Sequence, residues 1–90
     1  MKRLPTIIVE DEFHSREMLK SFLREYCPEV EVKEEAKNVE EAVQKITTIK
    51  PELVFMDIEL QSGTGFDVLK SLEKMDFHLI FTTAFEHYAI

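Results

Sequence analysis

Acidic and hydroxyl residues stand at the ends of short apolar runs in this sequence, and that placement suggests chemistry. Glu10, Asp11 and Glu12 follow Thr6-Ile7-Ile8-Val9; Asp57 follows Leu53-Val54-Phe55-Met56; Thr82 and Thr83 close the run Leu79-Ile80-Phe81. Carboxylates brought close together repel, and one is driven towards its protonated form unless a cation joins them. A hard divalent ion such as Mg²⁺ meets that need, because it takes a few carboxylates and keeps several waters. A carboxylate at a strand end can also cap the next helix, and a lone Asp57 fits that reading as readily. Acids recurring at several strand ends favour a shared cation site.

The elements that would position these residues follow from the spacing of apolar side chains. The three runs are short and rich in β-branched or aromatic residues, the pattern of strands buried on both faces. From Phe13 to Tyr26, apolar residues at Met18, Leu19, Phe22, Leu23 and Tyr26 predict a helix with one buried stripe, which Pro28 cannot continue. Val30-Glu31-Val32-Lys33-Glu34 alternates, as an exposed edge strand does. Asn38 with Glu41 reads as a capping box opening a second helix, with Val39, Ala42, Val43, Ile46 and Ile49 inward and Pro51 closing it. Gln61 to Gly65 reads as a loop, Phe66 to about Met75 as a third helix with Leu69 and Leu72 inward, His78 to Thr82 as a strand, and Glu86 to Ile90 as the start of another helix. Strict alternation of strand and helix predicts a parallel sheet covered on both faces, joined by right-handed crossovers. In such sheets the site lies beyond the carboxyl ends of the strands, where strand order reverses. The acids at 10, 11 and 57 end there.

Composition narrows the partners. Ninety residues make one domain, and 18 acidic against 11 basic residues give a net charge of −7, which disfavours nucleic acid and anionic membrane and favours a cation or a basic protein face. Cys27 is the only cysteine, so neither an internal disulfide nor a thiolate zinc cluster can form. The apolar runs fall far short of the ~20 residues that span a bilayer, and the expectation is a cytoplasmic protein. His14, His78 and His87 lack metal-ligand spacing, and Phe77, Phe81 and Phe85 read as core.

Glu10-Asp11-Glu12 after a buried strand, Asp57-Ile58-Glu59-Leu60 after another, Gly65 eight residues beyond Asp57 and Thr83-Ala84 after a third together resemble the receiver domain of two-component response regulators. The match runs in register across residues 1–90. It implies a CheY-like (flavodoxin-like) doubly wound parallel sheet with strand order 2-1-3-4, the fifth strand and last helix lying outside this chain. It also implies that Asp57 accepts a phosphoryl group from a sensor histidine kinase. Asp11 and Asp57 would bind Mg²⁺ (or Mn²⁺) directly, Glu10 through a water, and Glu59 through its backbone carbonyl, while Thr83 would be the switch hydroxyl. Such a domain is not an enzyme in the ordinary sense: it promotes its own phosphotransfer and dephosphorylation, then switches an output. The stretch from Phe81 to Ile90 further resembles receivers fused to LytTR-type DNA-binding domains, so DNA would be met only through a domain absent here and transcription would be the output.

The sequence departs from the family in two ways. Gln61 stands where many members carry proline, which loosens the expected loop, and the lysine that ion-pairs with the phosphoryl group in receivers has no counterpart at a strand end here. Without the fifth strand, the edge formed by Leu79-Ile80-Phe81 is expected to recruit another strand, giving self-association or a homodimer. Two rival readings are an Mg²⁺-dependent phosphatase or phosphotransferase with an aspartate nucleophile, and a receiver-like docking module that is never phosphorylated. The first usually needs an aspartate pair two apart at the first strand, where this chain has Glu10-Asp11-Glu12.

Overall fold

The computed structural model describes residues 3–82. Four parallel strands build its main sheet: β1 (Leu4–Val9), β2 (Val30–Ala36), β3 (Leu53–Asp57) and, last in the chain, β6 (His78–Thr82), in the order β2-β1-β3-β6. Helix α1 (Phe13–Tyr26) links β1 to β2, and α2 (Val39–Ile49) links β2 to β3. Two short strands, β4 (Glu59–Leu60) and β5 (Gly63–Thr64), form an antiparallel hairpin directly after Asp57 and lead into α3 (Gly65–Ser71). The expected strand order is present, with the small hairpin as an addition.

Side chains alternate across the central strands and divide the core in two. Ile7, Val9, Val54 and Met56 pack with Ala42, Ile46 and Val68 from α2 and α3, whereas Ile8, Leu53 and Phe55 pack with Leu23 from α1. Burial on both faces explains why β1 and β3 read as unbroken apolar runs. The edge strand β2 extends two residues beyond the alternating stretch and contains a bulge. Thr6 pairs with Val32 but Ile7 pairs with Glu34, so Lys33 is passed over. Val30 and Val32 therefore face α1, while Ala36 turns to the α2 side.

Four local expectations need correction. The stripe on α1 is only half covered: Leu23 is buried and Leu19 packs beside it, but Met18, Phe22 and Tyr26 are exposed and Arg16 is buried instead. Asn38 does cap α2, accepting the Glu41 N–H at 2.8 Å, but the Glu41 carboxylate reaches back to the Lys37 N–H at 3.1 Å, one residue before the cap. The reciprocal box lies at α3 instead, between Thr64 and Asp67. Helix α3 also ends at Ser71 rather than near Met75, because Leu72 turns to extended backbone at φ −90° and ψ 138°. Phe81, expected in the core, is 40% exposed and leans on Phe66, with ring centroids 5.2 Å apart.

Candidate phosphoacceptor and metal site

Glu10, Asp11 and Asp57 meet at the carboxyl end of the sheet, between β1 and β3, where strand order reverses. The register brings this about: Val9 is level with Met56, so the next residues, Glu10 and Asp57, lie side by side at the strand ends. One carboxylate oxygen from each of the three residues lies within 4.8 Å of the others. Glu10 and Asp57 are buried, and Asp11 is half-buried.

The main chain holds these acids tightly. The Glu10 N–H donates to the Ala36 carbonyl at 2.9 Å, its carboxylate accepts the Glu12 N–H at 3.0 Å, and its own carbonyl accepts from Arg16 Nη1 at 3.0 Å. Glu12 points away from the cluster and caps α1, accepting from the N–H groups of His14 and Ser15. On the other side of the site, the Gly65 N–H donates to the Ile58 carbonyl at 2.7 Å and folds the hairpin back against Asp57. The hairpin turn is tied to α2 as well, because Ser62 Oγ accepts the Val39 N–H at 3.0 Å and donates to Glu40 at 3.2 Å. The loop that Gln61 was expected to loosen is thus held by paired strands and a hydroxyl. Gly63, at φ 155°, has a reason to be glycine: a Cβ there would lie 2.6 Å from Asp67 Oδ2.

Electrostatics mark the cluster as incomplete. Burial, opposed by the Glu12 N–H and reinforced by the charge of Asp57, pushes the Glu10 carboxyl up to about 7. Burial also raises Asp57, although the Glu10 carboxyl and the backbone N–H groups of Ile58 and Glu59 pull it down. Asp57 Oδ1 is fully buried and has no hydrogen-bond partner among the described residues. An orphaned buried carboxylate oxygen beside two more carboxylates is a set of hard oxygen donors that fits a small divalent cation.

Of the residues singled out in the sequence, Glu10, Asp11 and Asp57 are brought together. Glu59 begins the hairpin with its side chain exposed, and Thr83 lies outside the described residues, next to Thr82, which pairs with Asp57. Arg16 was missed. Its spacing to Leu19 and Leu23 on the inner face of α1 was the available signal, but an arginine among charged neighbours reads as solvated. A cavity of about 650 Å³, lined among others by Lys50, Pro51, Leu72 and Phe77, opens at the other end of the sheet, away from the acids. Among the described residues, no helix is long and apolar enough to cross a membrane.

A parallel sheet in this order, carrying buried carboxylates at its reversal point, defines the receiver class of signalling domain. Comparison with known proteins agrees. The response regulator receiver domain family matches residues 6–90, and the chain belongs to that family. It is 37% identical over 89 residues to the sensory transduction protein LytT of Bacillus subtilis, covering 97% of this chain and 36% of the relative. It is 40% identical over 86 residues to LytT of Enterococcus faecalis, covering 93% of this chain and 35% of the relative. The crystal structure of the response regulator domain of Thermotoga maritima CheB superimposes with a TM-score of 0.82 at 28% identity, over 92% of this chain and 62% of that one. The chain thus spans little more than a third of the length of the curated relatives it matches.

Proposed function

We propose that Asp57 is the phosphoacceptor of this receiver and that Glu10, Asp11 and Asp57 hold Mg²⁺ or Mn²⁺, with the Glu59 carbonyl as a further ligand. The observation that carries this reading is Asp57 Oδ1, buried, unpartnered and grouped with two other carboxylates. The bound ion would offset negative charge on the incoming phosphoryl group and on the three acids. The protein's own part is positioning. An Asp57 carboxylate oxygen forms a bond to phosphorus in line with the bond that breaks, and the leaving group departs with that electron pair. The leaving group is an imidazole when the donor is a sensor histidine kinase and acetate when it is acetyl phosphate. The backbone N–H groups of Ile58 and Glu59 orient the acceptor carboxylate and oppose the rise that burial causes. Thr83 would hydrogen-bond the new phosphoryl oxygens and so switch the output.

The kinase partner, a transcriptional output through a further domain, and a cytoplasmic location belong to the same proposal. Kinship with the LytT proteins supports them. The chain acts on itself as a phosphoacceptor and turns over no other substrate. Incubation with acetyl phosphate and Mg²⁺, followed by mass spectrometry, should give an adduct of about 80 Da, one phosphoryl group, on Asp57 and none on Asp57→Asn. Labelling of the Asn variant at unchanged stoichiometry would refute the assignment. Turnover of a small phosphoester would point to a phosphatase, and neither result to a docking module.

A further inference from the structure

We infer that Arg16, held by Glu35, is a positioning residue for the acidic site: it fixes the Glu10 carbonyl so that the Glu10-Asp11 turn presents its carboxylates to a divalent cation. This rests on the metal-site reading above. Arg16 is 8% exposed on the inner face of α1, an uncommon place for arginine unless it is paired. Its Nη1 donates to the Glu10 carbonyl at 3.0 Å and its Nε to Glu35 Oε1 at 3.1 Å. The guanidinium fork thus spans from the end of β1 to the edge strand, a geometry that a lysine ammonium cannot reproduce. Without Arg16, the Glu10 carbonyl would lose a buried hydrogen bond.

The bulge in β2 is what makes the pair possible. Before Lys33, the even-numbered Val30 and Val32 face α1; after it, Ala36 joins the α2 side, and Glu35 comes round to meet Arg16 and Lys20 of α1. A bulge commonly re-aims a side chain beside a functional site. The remaining contacts fix the anchor itself. Lys20 Nζ lies 2.9 Å from Glu35 Oε2 and 2.7 Å from Glu17, and Lys45 Nζ donates to the Glu35 carbonyl. Arg16 and Lys20 against Glu17 and Glu35 give two positive and two negative charges. A network that is neutral overall can orient the turn without weakening the pull of the carboxylates on a cation.

That neutrality gives the test a definite sign. Removing a nearby cation, considered by charge alone, would tighten Mg²⁺ binding. Losing a support that orients ligands weakens it, by about tenfold or more where such contacts have been removed from metal sites. Titration of the ¹⁵N-labelled chain with MgCl₂, followed through its amide chemical shifts, gives the affinity, and thermal unfolding in EDTA gives the stability. Arg16→Met is expected to bind Mg²⁺ about tenfold more weakly than wild type under conditions where both remain folded. Arg16→Lys, which keeps the charge but cannot span both partners, is expected to lose several-fold, and it decides the matter if Arg16→Met does not fold. Unchanged or tighter Mg²⁺ binding with lowered stability would mean that Arg16 only holds α1 to the sheet, and the inference falls. Asp11→Asn separates this from the underlying reading: if wild type and Asp11→Asn bind Mg²⁺ alike, the metal site itself is wrong.

Discussion

Glu10→Gln tests the electrostatics of the site directly. The substitution removes one buried negative charge while leaving an amide oxygen to accept the Glu12 N–H at 3.0 Å. In the metal-free chain the Glu10 carboxyl is raised from 4.5 to about 7, chiefly by burial and further by the charge of Asp57. A carboxyl raised in this way binds its proton more tightly in the folded state. Its contribution to stability is complete below about pH 4.5 and is lost as pH rises through about 7. At ~1.4 kcal/mol per pH unit the full loss is about 3.5 kcal/mol, and about 2 kcal/mol of it should fall between pH 5 and pH 8 once solvent screening is allowed for. Glu35 moves the other way, held low by Lys20 and Arg16 against the effect of burial, so its contribution is already in place above pH 5. Urea unfolding in EDTA at pH 5, 6.5 and 8, compared between wild type and Glu10→Gln, cancels the groups common to both. The variant should be the more stable at pH 8, with the advantage shrinking towards pH 5. Mg²⁺ should restore wild type at pH 8 and do little at pH 5, where it must displace a proton. A stability difference that does not change with pH would refute the argument that Glu10 is buried against like charge.

Three further outcomes follow from local geometry. Gly65→Ala would place a Cβ 2.8 Å from the Asp57 carbonyl oxygen and 3.1 Å from Met56, so it should cost about 1–3 kcal/mol and weaken Mg²⁺ binding, checked by thermal unfolding with and without the ion. Lys50→Gly at the end of α2, where φ is 54° and ψ 64°, should gain about 0.5–1 kcal/mol by relieving left-handed backbone, and a loss in urea unfolding would contradict this. The outer edge of β6 has no strand partner among the described residues and exposes Ile80 and Phe81, so the 90-residue chain should self-associate in sedimentation, with Ile80→Lys reducing it; a sharp monomer boundary for wild type would sink the idea.

The parts of the fold legible in the sequence were those in which one residue type has one explanation. The apolar stretches of β1 and β3, Ile7 to Val9 and Leu53 to Met56, read correctly because strands buried on both faces favour apolar side chains until they end, although β1 begins earlier, at Leu4, and buries Thr6; the acids that follow fall at the reversal point. Gly65 was read as part of a loop but opens α3, and sequence alone could not show that the backbone of Asp57 is what it approaches. The α1 stripe misled because helical spacing reports which residues share a face, not whether anything covers it. Met18, Phe22 and Tyr26 share a face with little on it, while Arg16 is buried because the Glu10 carbonyl and Glu35 are there to receive it.

The bulge at Lys33 was invisible for a related reason. Val30-Glu31-Val32-Lys33-Glu34 alternates through the very residue at which the faces exchange, and only pairing with β1 reveals the slip. That slip is what delivers Glu35 to Arg16. The carboxylates that do the chemistry could therefore be found by type and spacing, whereas the contacts that aim them depend on long-range register between α1, β1 and β2. A one-residue change in that register would leave the motif intact in the sequence and turn Glu35 away from Arg16.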